Sequence, residues 1–311
     1  RLYLKDSINL TSGTLNANGN LTFVSNNSET AQVGEVPSSG GNIAGDVIVE
    51  RFVPKSKRAF RYIGSPVNTS GTINANLQEG FNNTDPNNNP DDISGFGTHI
   101  TGSTDGSNGF DATSTGNPSM FSWDEGSQQW NGIPNTDTKK MNVGEAYALM
   151  IRGDRSTTLN SNTAVGPATT LRFTGDLEFN DQSVATSNLS STVGNYNLVA
   201  NPYQAIVDMK TLIESTDASD LNSIIYVYDP TLGTQGGYVT IDLNDTNPSG
   251  IPFDTNLYST ANENILPNQA FFVETIGSSP ALTFKETHKD TDENFVDTFS
   301  DDDLSEMHIN L

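Results

Sequence analysis

Apolar residues along this chain fall in short bursts, mostly alternating with polar ones, and Gly, Asn, Ser and Asp separate the bursts. A period of two marks strands with one buried face, and the separators are turn chemistry. Within residues 1–44, Leu2, Leu4, Ile8, Leu10, Leu15, Leu21 and Phe23 recur in this way, with Gly13 and Gly19 placed for tight corners. The texture matches the last rungs of a parallel β-helix, where each rung buries its apolar face by stacking on the next. An ordinary β-meander is the alternative.

Beyond residue 44 the pattern repeats itself. AGDVIVERF (Ala44 to Phe52) is answered by TGDLEFN (Thr174 to Asn180), and RYIGSP (Arg61 to Pro66) by YNLVANP (Tyr196 to Pro202). Met120 to Trp130 is answered by Ile225 to Tyr238, and Val143 to Gly153 by Pro267 to Gly277. Four blocks recurring in one order indicate a duplicated unit. The first copy carries a long insertion between Pro66 and Asp124, the second between Asp229 and Ala270, which reads as surface loops on a shared scaffold. Phe121 and Trp123, like Tyr226 and Tyr228, alternate with their neighbours and so share one face of a sheet. AYALMI and AFFVET are nearly continuous in apolar residues, as expected of strands buried on both faces. Proline fixes φ and pushes the residue before it to an extended conformation. Ser65-Pro66 and Asn201-Pro202 should therefore end a strand and turn the chain at equivalent places. Helix signals are thin: a short helix within Gln204 to Ser215, with Ile206, Met209, Leu212 and Ile213 on one side, and one turn within Asn74 to Gly80.

The expected fold is all-β: β-solenoid-like strands followed by two related β-sandwich or jelly-roll units. The expected organisation is a solenoid-like or meander segment over 1–44, repeats over 45–160 and 161–290, and an acidic linker over 291–311.

Charge narrows the partners. Across 311 residues, 15 Lys and Arg oppose 38 Asp and Glu, a net charge of −23. Such a surface repels phosphate backbones, so nucleic acid is not an expected partner. The chain has no cysteine, which removes disulfides, thiolate metal sites and cysteine nucleophiles. No apolar run approaches the roughly 20 residues that span a bilayer, so no transmembrane segment is expected. The chain opens on Arg1 without a signal peptide and reads as a mature or excised piece of a longer protein.

Several motifs in order carry a resemblance: VERFVPKSKRAFRYIGSPVNTSGTI, GTHITG, GFDATSTGNPSMFSWD, GEAYALMIRGDR, NPYQAIVDM, YDPTLGTQGGYVT and LPNQAFFVET. Over roughly residues 45 to 311 the chain resembles a module of large surface proteins exported by the type IX secretion system of gliding and polymer-degrading bacteria. In that family the module sits just before a C-terminal sorting domain, and DDDLSEMHINL resembles the lead-in to it. The resemblance implies an extracellular, cell-surface location, the secretion machinery as a partner through the missing sorting domain, and a non-enzymatic role in an adhesin or surface filament.

The first insertion holds the richest polar cluster. Asp85, Asn87, Asn89, Asp91 and Asp92 space oxygen side chains alternately, and Asp105 and Asp111 extend the set. Calcium takes six to eight oxygen ligands in a flexible loop, so calcium is the candidate cofactor. The competing reading is a solvated loop whose Asx side chains cap their own turns, since no EF-hand pattern is present. The three histidines, His99, His288 and His308, are scattered, and no G-x-S-x-G elbow accompanies His99. Arg152-Gly153-Asp154 spells an integrin-binding tripeptide but follows a strand directly and reads as a strand-end turn. Trp123, Trp130, Tyr226, Tyr228 and Tyr238 would stack sugars if their rings faced solvent, yet their matched positions argue for core packing. The alternative function, a carbohydrate-binding accessory module of a polysaccharide-degrading enzyme, places its site in the loops, with surface glycans or polymers as partners.

Overall fold

The computed structural model describes residues 1–87, 93–161, 165–246, 251–252 and 259–290, and these are predominantly strand. The first stretch gives β1 (Leu2–Leu4), β2 (Ser7–Ile8) and β3 (Thr14–Asn16), then β4 (Leu21–Phe23), β5 (Gln32–Val33), β6 (Asn42–Ala44) and β7 (Val47–Val53). Strand β1 lies parallel on β4, β2 on β5, β3 on β6, and β4 on β7. A meander would pair its neighbours antiparallel. Phe23, Ala31, Val33, Ile43, Val47 and Val49 point inward from these ladders and are buried. The corner at Gly13 has φ +79°, in the left-handed region that glycine enters at no steric cost.

The first copy supplies β8 (Ala59–Gly64), β9 (Val67–Thr69), helix α1 (Ile73–Leu77), β10 (Thr101–Ser103), β11 (Asp111–Ala112), β12 (Met120–Asp124), β13 (Gln129–Gly132) and β14 (Ala146–Ile151). The chain continues through β15 (Thr169–Leu177), β16 (Gln182–Ser183), β17 (Tyr196–Ala200), β18 (Val207–Asp208) and helix α2 (Met209–Glu214). It closes with β19 (Ala218–Ser219), β20 (Leu221–Asp229), β21 (Gly237–Asp242), β22 (Ile251–Pro252), β23 (Asn264–Ile265), β24 (Ala270–Thr275) and β25 (Ala281–Phe284).

Three of the four repeated blocks occupy equivalent strands; the first does not, because Ala44–Phe52 and Thr174–Asn180 fall on β7 and β15, which pair with each other. One sheet runs β13-β12-β14-β8, and the other runs β21-β20-β24-β17 with β22 added at its edge. The registers coincide. Gly64 stands opposite Ala146 as Ala200 does opposite Ala270, and Phe121 opposite Ala148 as Tyr226 does opposite Phe272. Trp123 pairs with Trp130 as Tyr228 does with Tyr238. Both proline turns follow the equivalent strand, and each is closed by the residue before proline: the Ser65 hydroxyl accepts the Val67 amide at 3.2 Å, and Asn201 Oδ1 accepts the Tyr203 amide at 2.9 Å. Each turn leads to a short helix, one capped by Thr72 and the other by Asp208. Helix α2 begins later than the apolar pattern suggests because Val207 and Asp208 first pair with β23. At the second residue of the fourth block, Gly144 and Asn268 occupy the same left-handed position, φ +83° and +62°.

Strand β15 departs from the expected partition. It lies beyond residue 161, yet it pairs antiparallel with β7 along seven residues and with β9 along three. Its alternating Leu171, Phe173 and Leu177 enter the core of the first copy.

Alternation along the duplicated strands creates three cores in series. Ile63, Met120, Tyr147, Leu149 and Ile151 face β7 and β15 in the first core. Val199, Ile225, Val227, Phe271 and Val273 face α2 and β25 in another. The opposite faces, carrying Tyr62, Ala148, Leu198, Ala200, Ala270 and Phe272, pack on each other between the two sheets. The approach is closest where the Gly64 amide donates to Asn268 O at 3.1 Å. There is no room for a side chain on Gly64 against the Ala200 methyl. The parallel ladders also dock on the second copy: Val33 donates to Gln204 O at 2.7 Å, Gln204 Nε2 to Ala31 O at 2.6 Å, and the Val36 amide to Glu286 Oε2 at 2.8 Å.

Gly64→Val is expected to lower unfolding free energy by about 1–3 kcal/mol through overpacking, read as a fall in the urea midpoint. Gly144→Asn should leave the midpoint close to wild type, because Asn268 already holds the equivalent backbone conformation.

Candidate functional site

The aromatic residues singled out by their repeated positions meet between the two sheets. Tyr62 on β8 stands at their centre, its ring 5.4 Å from Trp130, 5.0 Å from Tyr228 and 5.6 Å from Phe272. Its hydroxyl lies 2.5 Å from that of Tyr238. Burial, reinforced by Tyr238, pushes the Tyr62 phenol well above its ordinary range, so it stays protonated. Equivalent pairs recur on the two sides. Phe60 and Phe121 meet edge to face at 5.9 Å, as Tyr196 and Tyr226 do at 5.5 Å. Trp123 and Trp130 meet at 5.0 Å, as Tyr228 and Tyr238 do at 5.3 Å. Edge-to-face contact is the arrangement that ring quadrupoles favour.

Each hairpin tip reaches across to the other copy. Trp123 Nε1 and Gln128 Nε2 both donate to Tyr196 O at 2.9 Å, and the Tyr196 amide donates to Gln128 Oε1 at 2.7 Å. On the opposite side Lys57 Nζ donates to Thr231 O at 3.0 Å and also to Gly233 O. The sequence-predicted turn at Asp124 is built as expected, with Asp124 Oδ1 accepting the Gly126 and Ser127 amides.

The rings do not close the seam completely. A groove of about 430 Å³ is lined by Trp123, Trp130, Tyr196, Tyr226, Tyr238 and Phe272. A groove of about 300 Å³ is lined by Phe60, Tyr62, Phe121, Trp130, Ala148 and Tyr228. The internal duplication relates one to the other. Tyr196 is 37% exposed, so its face is available at the mouth of the larger groove. Tyr62, Phe272, Tyr196 and Phe60 join the rings that the sequence singles out. Their signal is alternation within AFRYIG, YNLVA and AFFVET, which the nearly continuous apolar runs obscure.

The oxygen ligands proposed from sequence do not converge among the described residues. Asp85 Oδ1 accepts the Asn87 amide at 2.9 Å, a turn-capping contact. Asn87 is exposed, and Asn89, Asp91 and Asp92 lie outside the described residues. Asp105 is solvent-facing and accepts the Ser107 amide at 3.0 Å; hydrogen bonds from Ser107 hold its carboxyl below the usual range. Asp111 is fully buried and committed elsewhere. Arg155 grips both its oxygens at 2.9 and 3.0 Å, the Asn83 and Ile100 amides donate at 2.8 and 3.1 Å, and Gln78 Nε2 donates at 3.3 Å. His99 Nδ1 stands 3.2 Å away. Burial opposes ionisation of Asp111, but His99 and Arg155 outweigh it and hold the carboxyl below its ordinary value. No group of three or more His, Asp or Glu among the described residues is placed to hold a metal ion.

The remaining motifs are absorbed by the fold. Asp154 of the Arg-Gly-Asp run is buried and accepts the Gly95 and Ser156 amides at 2.6 and 2.9 Å. His288 accepts the Lys285 amide on Nδ1 at 3.1 Å, and His308 lies outside the described residues. No helix among the described residues is long and apolar enough to cross a membrane. The chain matches no protein-family model, no curated protein and no solved structure.

Asp111→Ala should cost roughly 3–5 kcal/mol, because it strands a buried guanidinium; a urea titration reads the loss. Glu125, at the tip of the first hairpin, has its carboxyl pushed up to about 7 by burial, with Asp124 adding to it. The unfolded chain ionises nearer 4.5. Stability should therefore fall as pH rises from about 4.5 to about 7, where the unfolded state loses this proton first. Glu125→Gln should match wild type at pH 4 and exceed its melting temperature at pH 8.

Proposed function

We propose that this chain is a non-enzymatic extracellular module of a secreted bacterial surface protein. In this reading the parent is an adhesin or surface-filament component of a gliding bacterium, exported by the type IX secretion system through a C-terminal sorting domain. One observation carries the proposal: the duplicated aromatics are spent on joining the two copies, which makes them architecture. The parallel ladders are then the last rungs of a β-solenoid, and the duplicated sheets belong to two sandwich-like units that display divergent loops. Residues 291–311 form the acidic linker, and the first insertion is the place for calcium.

The paired aromatic grooves favour a second reading, a carbohydrate-binding accessory module. Half-exposed tryptophan and tyrosine rings offer the apolar faces on which sugar rings stack. Trp130 lines both grooves and is the residue on which this reading turns.

A glycan array probed with the whole chain, beside an adhesion assay on cells lacking the module, separates the two. The first reading expects adhesion to fall on deletion with no selective glycan binding. Selective binding that Trp130→Ala reduces at least tenfold, in a protein that still melts cooperatively, selects the second. Turnover of a polysaccharide by the chain alone overturns both.

A further inference from the structure

A cavity of about 410 Å³ adjoins the smaller aromatic groove, with which it shares Phe60, and the first insertion builds much of it. The approach to β8 contributes Arg58, the end of β14 contributes Arg152, and the loop from Thr113 to Ser119 forms the facing wall. Two guanidinium groups on one cavity stand out in a chain where acidic residues outnumber basic ones 38 to 15. Arg152 Nη1 is buried without a hydrogen-bond partner. Arg152 forms no ion pair among the described residues, and nearby Asp111 is already held by Arg155, Gln78 and two backbone amides. Burial, with Arg58 close by, pushes the Arg152 guanidinium down to about 10. A guanidinium in such a place carries a desolvation cost that an anion would offset.

The facing wall supplies hydroxyl donors. Thr115 Oγ1 accepts the Asn117 amide and Ser119 Oγ accepts the Thr101 amide, which leaves each hydroxyl hydrogen to give. The second copy shows what the scaffold requires without this cavity. By the shared strand register, Gly194 stands where Arg58 does and Ile276 where Arg152 does. Neither charge is needed to build the duplicated sheet, and both occur where the extra loop adds hydroxyls.

We propose that this cavity binds a single oxyanion, a carboxylate or sulfate group on a small ligand, with Arg152 as its principal contact. The planar guanidinium fork matches either group in a bidentate fashion. The net charge of −23 disfavours extended polyanions and leaves compact oxyanions as the fitting class. This inference stands whether the module is an adhesin or a glycan binder.

Isothermal titration and thermal melts of the whole chain test it with sodium acetate, sodium glucuronate and sodium sulfate, each against sodium chloride at matched ionic strength. At least one should bind saturably and raise the melting temperature beyond chloride. Glucuronate alone identifies a sugar acid, whereas acetate and sulfate together identify the free oxyanion. Arg152→Gln should weaken binding at least tenfold, while general sulfate stabilisation persists in that variant. Arg152→Lys keeps the charge and loses the fork, and should bind with intermediate strength. Absence of saturable binding to all three in the wild type overturns the proposal, as does equal binding by folded Arg152→Gln.

Discussion

The contact between the duplicated sheets sets the terms for the rest of the molecule. It is drawn so close at Gly64 and Ala200 that one of the two copies must give up its side chain there. That approach brings the aromatic faces of β8, β12 and β13 against those of β20, β21 and β24. Edge-to-face ring pairs each add about 0.5–1.5 kcal/mol beyond the area they bury. Sheets buried on both faces need apolar residues at most positions, which explains AYALMI and the first four residues of AFFVET. The hairpin tips that cross between copies, at Gln128 and at Thr231 to Gly233, then follow from the same proximity.

Much of this architecture is legible in the sequence because it is local. Alternation gives the strands, Ser65-Pro66 and Asn201-Pro202 give the turns, and the ordered blocks give equivalent strands in equivalent registers. The choice of partner is not legible. Nothing in the spacing of Phe121 and Trp123 says that their face meets a second copy of itself. Nothing in Thr169 to Leu177 says that this strand will lie along β7 and β9. Among the described residues the ligand candidates stay apart for the same reason. Asp111 looks like one more oxygen in a polar loop until Arg155, 44 residues further on, arrives beside it. The aromatics read as core, Trp123, Trp130, Tyr226, Tyr228 and Tyr238, are only partly buried and pack around Tyr62 and Phe272, which are the buried rings of the seam.

Duplication and divergence divide the work. Where the copies agree, as at Gly144 and Asn268 or Ser65 and Asn201, the shared feature is a backbone requirement. Where they differ, chemistry accumulates. Tyr62 takes the place that Leu198 holds, and Phe272 the place that Ala148 holds, so the two grooves have different walls. Arg58 and Arg152 stand where the other copy has glycine and isoleucine. Arg58 and Arg152 flank strand ends, and Tyr62 and Phe272 lie on the faces that meet between the sheets, so all four stand outside the two cores that hold each sheet from behind.

The docking of the first ladders on the second copy imposes an order of events in time. Val33 and Val36 find their hydrogen-bond partners at Gln204 and Glu286, the latter 250 residues away in the chain. Closing so long a loop is slow, because its entropy must be spent before the contact returns anything. The early ladders close among themselves, because β1, β2 and β3 find β4, β5 and β6 a short way along the chain. What waits is their attachment: in a chain that appears amino end first, the Val33 and Val36 amides meet their partners only after the segments bearing Gln204 and Glu286 have emerged.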